Sequence, residues 1–93
     1  MMWKCQYTRR FLKELAALPA FIERTVRLIA FDREFCKNPF SHERIQMEKL
    51  SGYEDYYKIR IGNYRIGIEV FRDERIARFS RVLHRKDFYR HFP

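Results

Sequence analysis

A chain of 93 residues that is 46% apolar builds one small domain over 1–93, burying roughly 60% of its unfolded surface, with room for one core and one site. The formal charge of +8 and the pI near 9.9 come from basic residues spread along the whole chain. They set a field that favours polyanions, nucleic acid first, with an acidic protein as the other partner that would satisfy it. Export, a membrane span and a metal centre are argued against: the longest apolar run, Leu15 to Ile22, is interrupted by Pro19, and Cys5, Cys36, His42, His84 and His91 show no zinc-ligand spacing.

In chain order, Met2 to Tyr7 alternates, with Trp3, Cys5 and Tyr7 on one side and Lys4 and Gln6 on the other, which predicts a first strand. Thr8 is placed to cap a helix from Arg9 to about Leu18, whose stripe is Phe11, Leu12, Leu15, Ala16 and Leu18. After Pro19 a second helix is expected from about Ala20 to Cys36, with Ile22, Val26, Ile29 and Cys36 on its apolar face, widened by Phe21, Leu28 and Phe35. Cys5 and Cys36 read as buried thiols of a reducing cytoplasm, although a disulfide stays open. Asn38 to Asp55 reads as an ordered connector anchored by Ile45, Met47 and Leu50, with His42 on its surface.

Two alternating runs then meet at Gly62-Asn63, the signature of a two-residue hairpin. Its register sets Ile61 opposite Tyr64, Arg60 opposite Arg65, Ile59 opposite Ile66, Lys58 opposite Gly67 and Tyr57 opposite Ile68. One face is apolar; the other carries Lys58, Arg60 and Arg65, like charges that should repel unless something anionic sits among them. Gly67 leaves the surface beside Lys58 open to a ligand backbone. A solvated polar face is the plain alternative. A third strand follows from Arg75 to Leu83, where Ala77, Phe79 and Leu83 compete with Ile76 and Val82 for the core, so Arg78 and Arg81 receive no face. The tail from His84 to Pro93 is dense in cations and aromatics, and it could fold against the sheet edge.

These elements imply an α+β domain: a helical hairpin on one face of a four-stranded antiparallel sheet, the other face bare and cationic. Most aromatics, Phe11, Phe21, Phe35, Tyr57 and Tyr64 among them, fall at periodic core positions.

Tyr-Lys-Ile-Arg-Ile-Gly-Asn-Tyr-Arg-Ile, followed by Val-Leu-His-Arg-Lys-Asp-Phe-Tyr-Arg, resembles the RelE and ParE superfamily of toxins, and the RelE branch most. The resemblance extends to the opening strand and to Phe-Leu-Lys-Glu-Leu of the first helix. It implies the four-stranded RelE-like fold and a toxin–antitoxin module: a basic RNase that enters the ribosomal A site, cuts mRNA without metal or cofactor, and is restrained by an acidic RelB-like antitoxin. The family's basic strand pair falls on Lys58 and Arg60, its hairpin arginine on Arg65, its post-strand arginine on Arg85 and its terminal tyrosine on Tyr89.

Cleavage by 2′-OH attack needs a base, cations for the phosphorane and an acid for the 5′-oxygen. Arg65 and Arg85 suit the phosphorane, because guanidinium stays charged and can give two parallel hydrogen bonds. Lys58 is a base, eased by neighbouring cations, or a second electrostatic stabiliser. Tyr89 stacks on a base or moves a proton, or else packs the C-terminal segment. His84 is an acid or a structural histidine, and Glu69 is a base or a counter-ion. RNA contacts are expected from Arg60, Arg81, His84 and Lys86. Two other functions stay open: a ParE-like inhibitor of DNA gyrase, and a non-catalytic RNA-binding module.

Overall fold

The computed structural model describes residues 2–93. Along the chain lie β1 (Lys4–Tyr7), α1 (Arg9–Ala16), α2 (Ala20–Ala30), α3 (Arg33–Lys37), β2 (Glu48–Lys49), β3 (Tyr56–Ile61), β4 (Tyr64–Phe71), β5 (Ile76–His84) and α4 (Arg85–His91). The strands form one five-stranded sheet in the order β1-β5-β4-β3-β2, with β1 parallel to β5 and the other pairs antiparallel. The α+β class stands, but the expected four-stranded antiparallel sheet does not. The opening strand enters beside the last one in the same direction, and the connector contributes β2, which pairs Glu48 with Lys58 and Lys49 with Tyr57.

The hairpin adopts the register read from its alternation, from Ile61 opposite Tyr64 to Tyr57 opposite Ile68. Gly62 takes φ 57° at the first central position of the turn, a conformation that glycine reaches without strain. The confusion in the third strand has a physical cause. The β4–β5 ladder pairs Gly67 with Arg81 but Ile68 with Phe79, so Ser80 is an extra residue and the register shifts there. Ala77 and Phe79 before the bulge and Val82 after it all reach the core, while Arg78, Arg81 and Leu83 are turned to the other face.

The large core lies between the sheet and α1 to α3. Phe11, Leu15, Val26, Ala30 and Phe35 pack there against Tyr57, Ile59, Ile66, Ile68, Val70, Ala77, Phe79 and Val82. The Thr8 side chain caps α1 by accepting the Phe11 N–H at 3.0 Å, and its hydroxyl donates to the Ser80 carbonyl at 2.9 Å, which ties the helix start to β5. The second helix is shorter than expected. It ends at Ala30, and the Asp32 carboxylate accepts the Phe35 N–H at 2.9 Å, starting α3 as a separate turn. Phe21 and Leu28 are not core residues; they are 75% and 69% exposed. They stack seven residues apart on a stripe one residue, about 100°, away from Ile22 and Ile29, and only the latter stripe faces the sheet.

Cys5 and Cys36 form a disulfide, with Cα atoms 5.5 Å apart, in place of two buried thiols. The break at Asp32 turns α3 against β1, where the Trp3 N–H also reaches the Lys37 carbonyl at 3.1 Å, and this brings the two cysteines together. Nor is the second sheet face bare. Helix α4 covers part of it, burying Phe88 and Phe92 with Leu50 between Tyr56 and Leu83. Among the described residues no helix is long and apolar enough to cross a membrane.

Candidate nucleic-acid interface

Helix α4 brings the C-terminal motif onto the hairpin. It starts because His84 caps it, the imidazole Nδ1 accepting the Lys86 N–H at 3.2 Å. Asp87 in the first turn and Arg90 and His91 in the last suit the helix dipole. Phe88 and Phe92, four apart, form the stripe that faces the sheet. The Arg85 N–H donates to the Asn63 carbonyl at 2.7 Å, fixing the helix start to the turn of the β3–β4 hairpin.

With the helix seated this way, Tyr89 meets the strand cations. Lys58 Nζ donates to Tyr89 Oη at 2.8 Å and lies 5.1 Å from the centre of the same ring. The Arg65 guanidinium lies close enough to act on the phenol, and its Nη1 donates to the Gly62 and Tyr64 carbonyls, each at 2.8 Å, so the turn holds it in place. Arg65 Nε is sealed from solvent with no partner among the described residues, an unpaired donor that costs on the order of 1–3 kcal/mol. The hydrogen bond from Lys58 lowers the Tyr89 pKa below the usual tyrosine value. Desolvation opposes that shift, while the Lys58 charge and the nearby Arg65 guanidinium add to it.

The other expected site residues divide. Arg60 lies opposite Arg65, but its Nε pairs with Glu48 of β2 at 3.0 Å, so the repulsion expected in the hairpin is relieved by a strand that the sequence did not reveal. The Arg85 and Lys86 side chains are exposed on the first turn of α4, without an ion pair or hydrogen bond among the described residues. His84 gives Nδ1 to the cap and packs its ring edge-on to Tyr64 at 5.2 Å. Glu69 faces Tyr56, opposite it on β3, which raises the Tyr56 pKa chiefly through the carboxylate charge.

Arg81 stands apart from the Lys58 cluster. Its Nε and Nη2 grip Glu14 of α1 at 2.6–3.1 Å, and its Nη1 donates to the His91 carbonyl at 3.2 Å. The open surface expected over Gly67 is occupied by the Phe92 ring. Lys58, Arg65 and Tyr89 thus come together, with Arg85 and Lys86 at the near end of α4, and the combination can neutralise a phosphate while presenting an acidified phenol. Sequence reasoning passed over Glu14, Glu48 and Phe92. The Phe88–Phe92 spacing was a readable signal for the helix; Glu14 and Glu48 carried none.

A family profile described as "ParE toxin of type II toxin-antitoxin system, parDE" matches residues 5–89. Toxin RelE3 of Methanocaldococcus jannaschii is 44% identical over 92 residues, covering 97% of this chain and 99% of that protein. A chain of the RelB-RelE antitoxin-toxin complex from Methanococcus jannaschii superposes with a TM-score of 0.72 at 42% identity, covering 95% of this chain and 99% of that one. The archaeal RelE-RelB complex from Pyrococcus horikoshii shares the fold, with a TM-score of 0.68 at 24% identity over 91% of this chain and 97% of that one. A profile over nearly the whole length and a full-length relative at 44% identity agree with the hairpin and C-terminal motif: the chain belongs to the RelE/ParE family of toxins of type II toxin–antitoxin systems.

Proposed function

We propose that this toxin is an endoribonuclease that cuts mRNA in the ribosomal A site. The observation that carries the reading is the Lys58–Tyr89 hydrogen bond of 2.8 Å beside the turn-held Arg65. A phenol that accepts a hydrogen bond from Lys58 and lies in the field of Arg65 gives up its proton more easily, and the phenolate can then take the proton of the attacking 2′-OH. The O2′–P bond forms, the P–O5′ bond breaks, and the products are a 2′,3′-cyclic phosphate and a 5′-OH. Lys58 keeps its charge as the stabiliser of the phenolate. Arg65 and Arg85 neutralise the phosphorane, a role whose loss costs about 3 kcal/mol. His84, whose Nδ1 is occupied by the helix cap, directs Nε2–H as a hydrogen-bond donor to the departing 5′-oxygen, which takes its proton from solvent. Arg60 and Lys86 hold flanking phosphates.

The site of action would be the cytoplasm, where ribosomes are. The restraining partner would be a RelB-like antitoxin, as in the complex from Methanococcus jannaschii. The name of the matching profile favours a second reading, ParE-like inhibition of DNA gyrase. Primer extension separates the two, with a defined mRNA offered free or on ribosomes with an empty A site, beside a gyrase cleavage assay. A cut within the A-site codon, lost in Arg65→Ala and Arg85→Ala, is expected. Gyrase-dependent DNA breakage without RNA cleavage would replace this reading with the second.

A further inference from the structure

We infer that Gly67, Phe92, Arg81 and Glu14 form a clasp that seats α4 on the sheet, and that they are positioning residues holding Tyr89 against Lys58. The inference rests on the roles proposed above for those two residues.

Neither member of the pair can enforce the contact by itself. Tyr89 is 56% exposed on a helix of 7 residues, too short to be stable alone, and Lys58 ends a flexible four-carbon stem. Their separation of 2.8 Å is therefore set by whatever fixes α4. At its start the helix is held by one backbone hydrogen bond to Asn63. The end is held by side chains.

Phe92, 5% exposed, lies on Gly67 so closely that a Cβ there would stand 2.8–2.9 Å from three ring carbons at the base of the ring. No side chain fits that gap without moving Phe92. Gly67 is paired with Lys58 on one side and Arg81 on the other, so one row across three strands carries the lysine, the seat of the helix and the second anchor. From that row Arg81 reaches the His91 carbonyl at 3.2 Å.

Arg81 is itself immobilised. Glu14 accepts from its Nε and Nη2 and also takes the Val82 N–H at 3.0 Å, on the stretch of β5 edge that β1 leaves unpaired. With side chains only 14% and 18% exposed, the pair is shielded and multiply hydrogen-bonded, a rigid strut from α1 through β5 to the end of α4. Such a pair sets geometry better than it adds stability.

The test follows Tyr89 directly, in protein labelled with 13C at tyrosine Cζ, its resonance assigned with Tyr89→Phe and titrated with pH. In the wild type the midpoint lies below the usual tyrosine value of about 10. In Gly67→Ala and Phe92→Ala it moves up by at least half the shift that Lys58→Met produces. Glu14→Leu does the same without a clash and leaves the outer core intact, so it carries the test where Gly67→Ala does not fold; Glu14→Gln, which keeps its acceptor oxygen, restores most of the wild-type value. Cleavage of ribosome-bound mRNA falls on the order of 10-fold or more in the shifted variants, with RNA affinity unchanged. A midpoint that stays at the wild-type value in the folded variants overturns the clasp. A midpoint that moves while cleavage holds supports the clasp and removes Tyr89 from the proposed chemistry.

Discussion

The two faces of the sheet are built to different ends. On the inner face, three helices bury thirteen core residues, among them Phe11, Phe35 and Phe79 at 0% exposure. On the outer face a single short helix buries Leu50, Phe88 and Phe92. The first face carries the free energy that keeps the domain folded; the second carries just enough apolar contact to place a helix over a row of cations. Two cations gathered beside a half-exposed phenol would be unstable as a core, and here they are attached to a sheet whose stability is secured from behind.

The largest effect should come from the inner face. Phe79→Ala removes a ring that touches Tyr7, Phe11 and Phe35, and should cost about 3–5 kcal/mol in denaturant unfolding, lowering the folded fraction without a specific change in the Tyr89 titration. Next, Arg65→Ala should slow cleavage on the order of 100-fold, about 3 kcal/mol in the transition state, while thermal stability changes little. If Arg65→Ala unfolded the protein and left the residual folded fraction fully active, the division of labour between the faces would be reversed.

The Cys5–Cys36 disulfide stabilises the inner face from the side of β1. It ties β1, an edge strand of the sheet, to α3, and closing a loop with a sequence separation of 31 should add about 2–4 kcal/mol of stability. Reduction, or Cys36→Ala, should therefore lower the unfolding midpoint and leave cleavage by the folded protein unchanged. A smaller effect concerns binding. RNA affinity should fall linearly with salt on logarithmic axes, and Lys86→Ala should flatten that slope by about one unit, as for one phosphate contact. A slope unaffected by loss of Lys86 would remove that residue from the interface.

How far the sequence foretold this arrangement depended on whether the controlling interaction was local. The hairpin was legible because a two-residue Gly-Asn turn fixes register, and register fixes faces. Lys58, Arg65 and Tyr89 were legible as a candidate site, through residue type and resemblance, and the fold brings them together. The parallel pairing of β1 with β5 joins residues some seventy positions apart and leaves no trace in either segment. Strand β2 is two residues long, below any periodicity. The bulge at Ser80 hid the alternation of β5, and with it the side to which Arg81 points. Asp32 was a readable cap inside an over-long helix, and Phe88 and Phe92 were a readable stripe, yet only the sheet shows that the latter sits on Gly67.

The pH dependence of cleavage tests the central claim, that Lys58 and Arg65 prepare Tyr89 to act as the base. Because the phenol's pKa is lowered in the folded state, any stability it contributes is complete only above the unfolded value of about 10 and fades as pH falls through the lowered midpoint. Activity follows the same deprotonated form, so the single-turnover rate on ribosome-bound mRNA should rise with pH and level off below pH 10. Lys58→Met should move that rise upward, and Tyr89→Phe should abolish it. A profile identical in the wild type and Lys58→Met, or one that persists in Tyr89→Phe, would contradict the account.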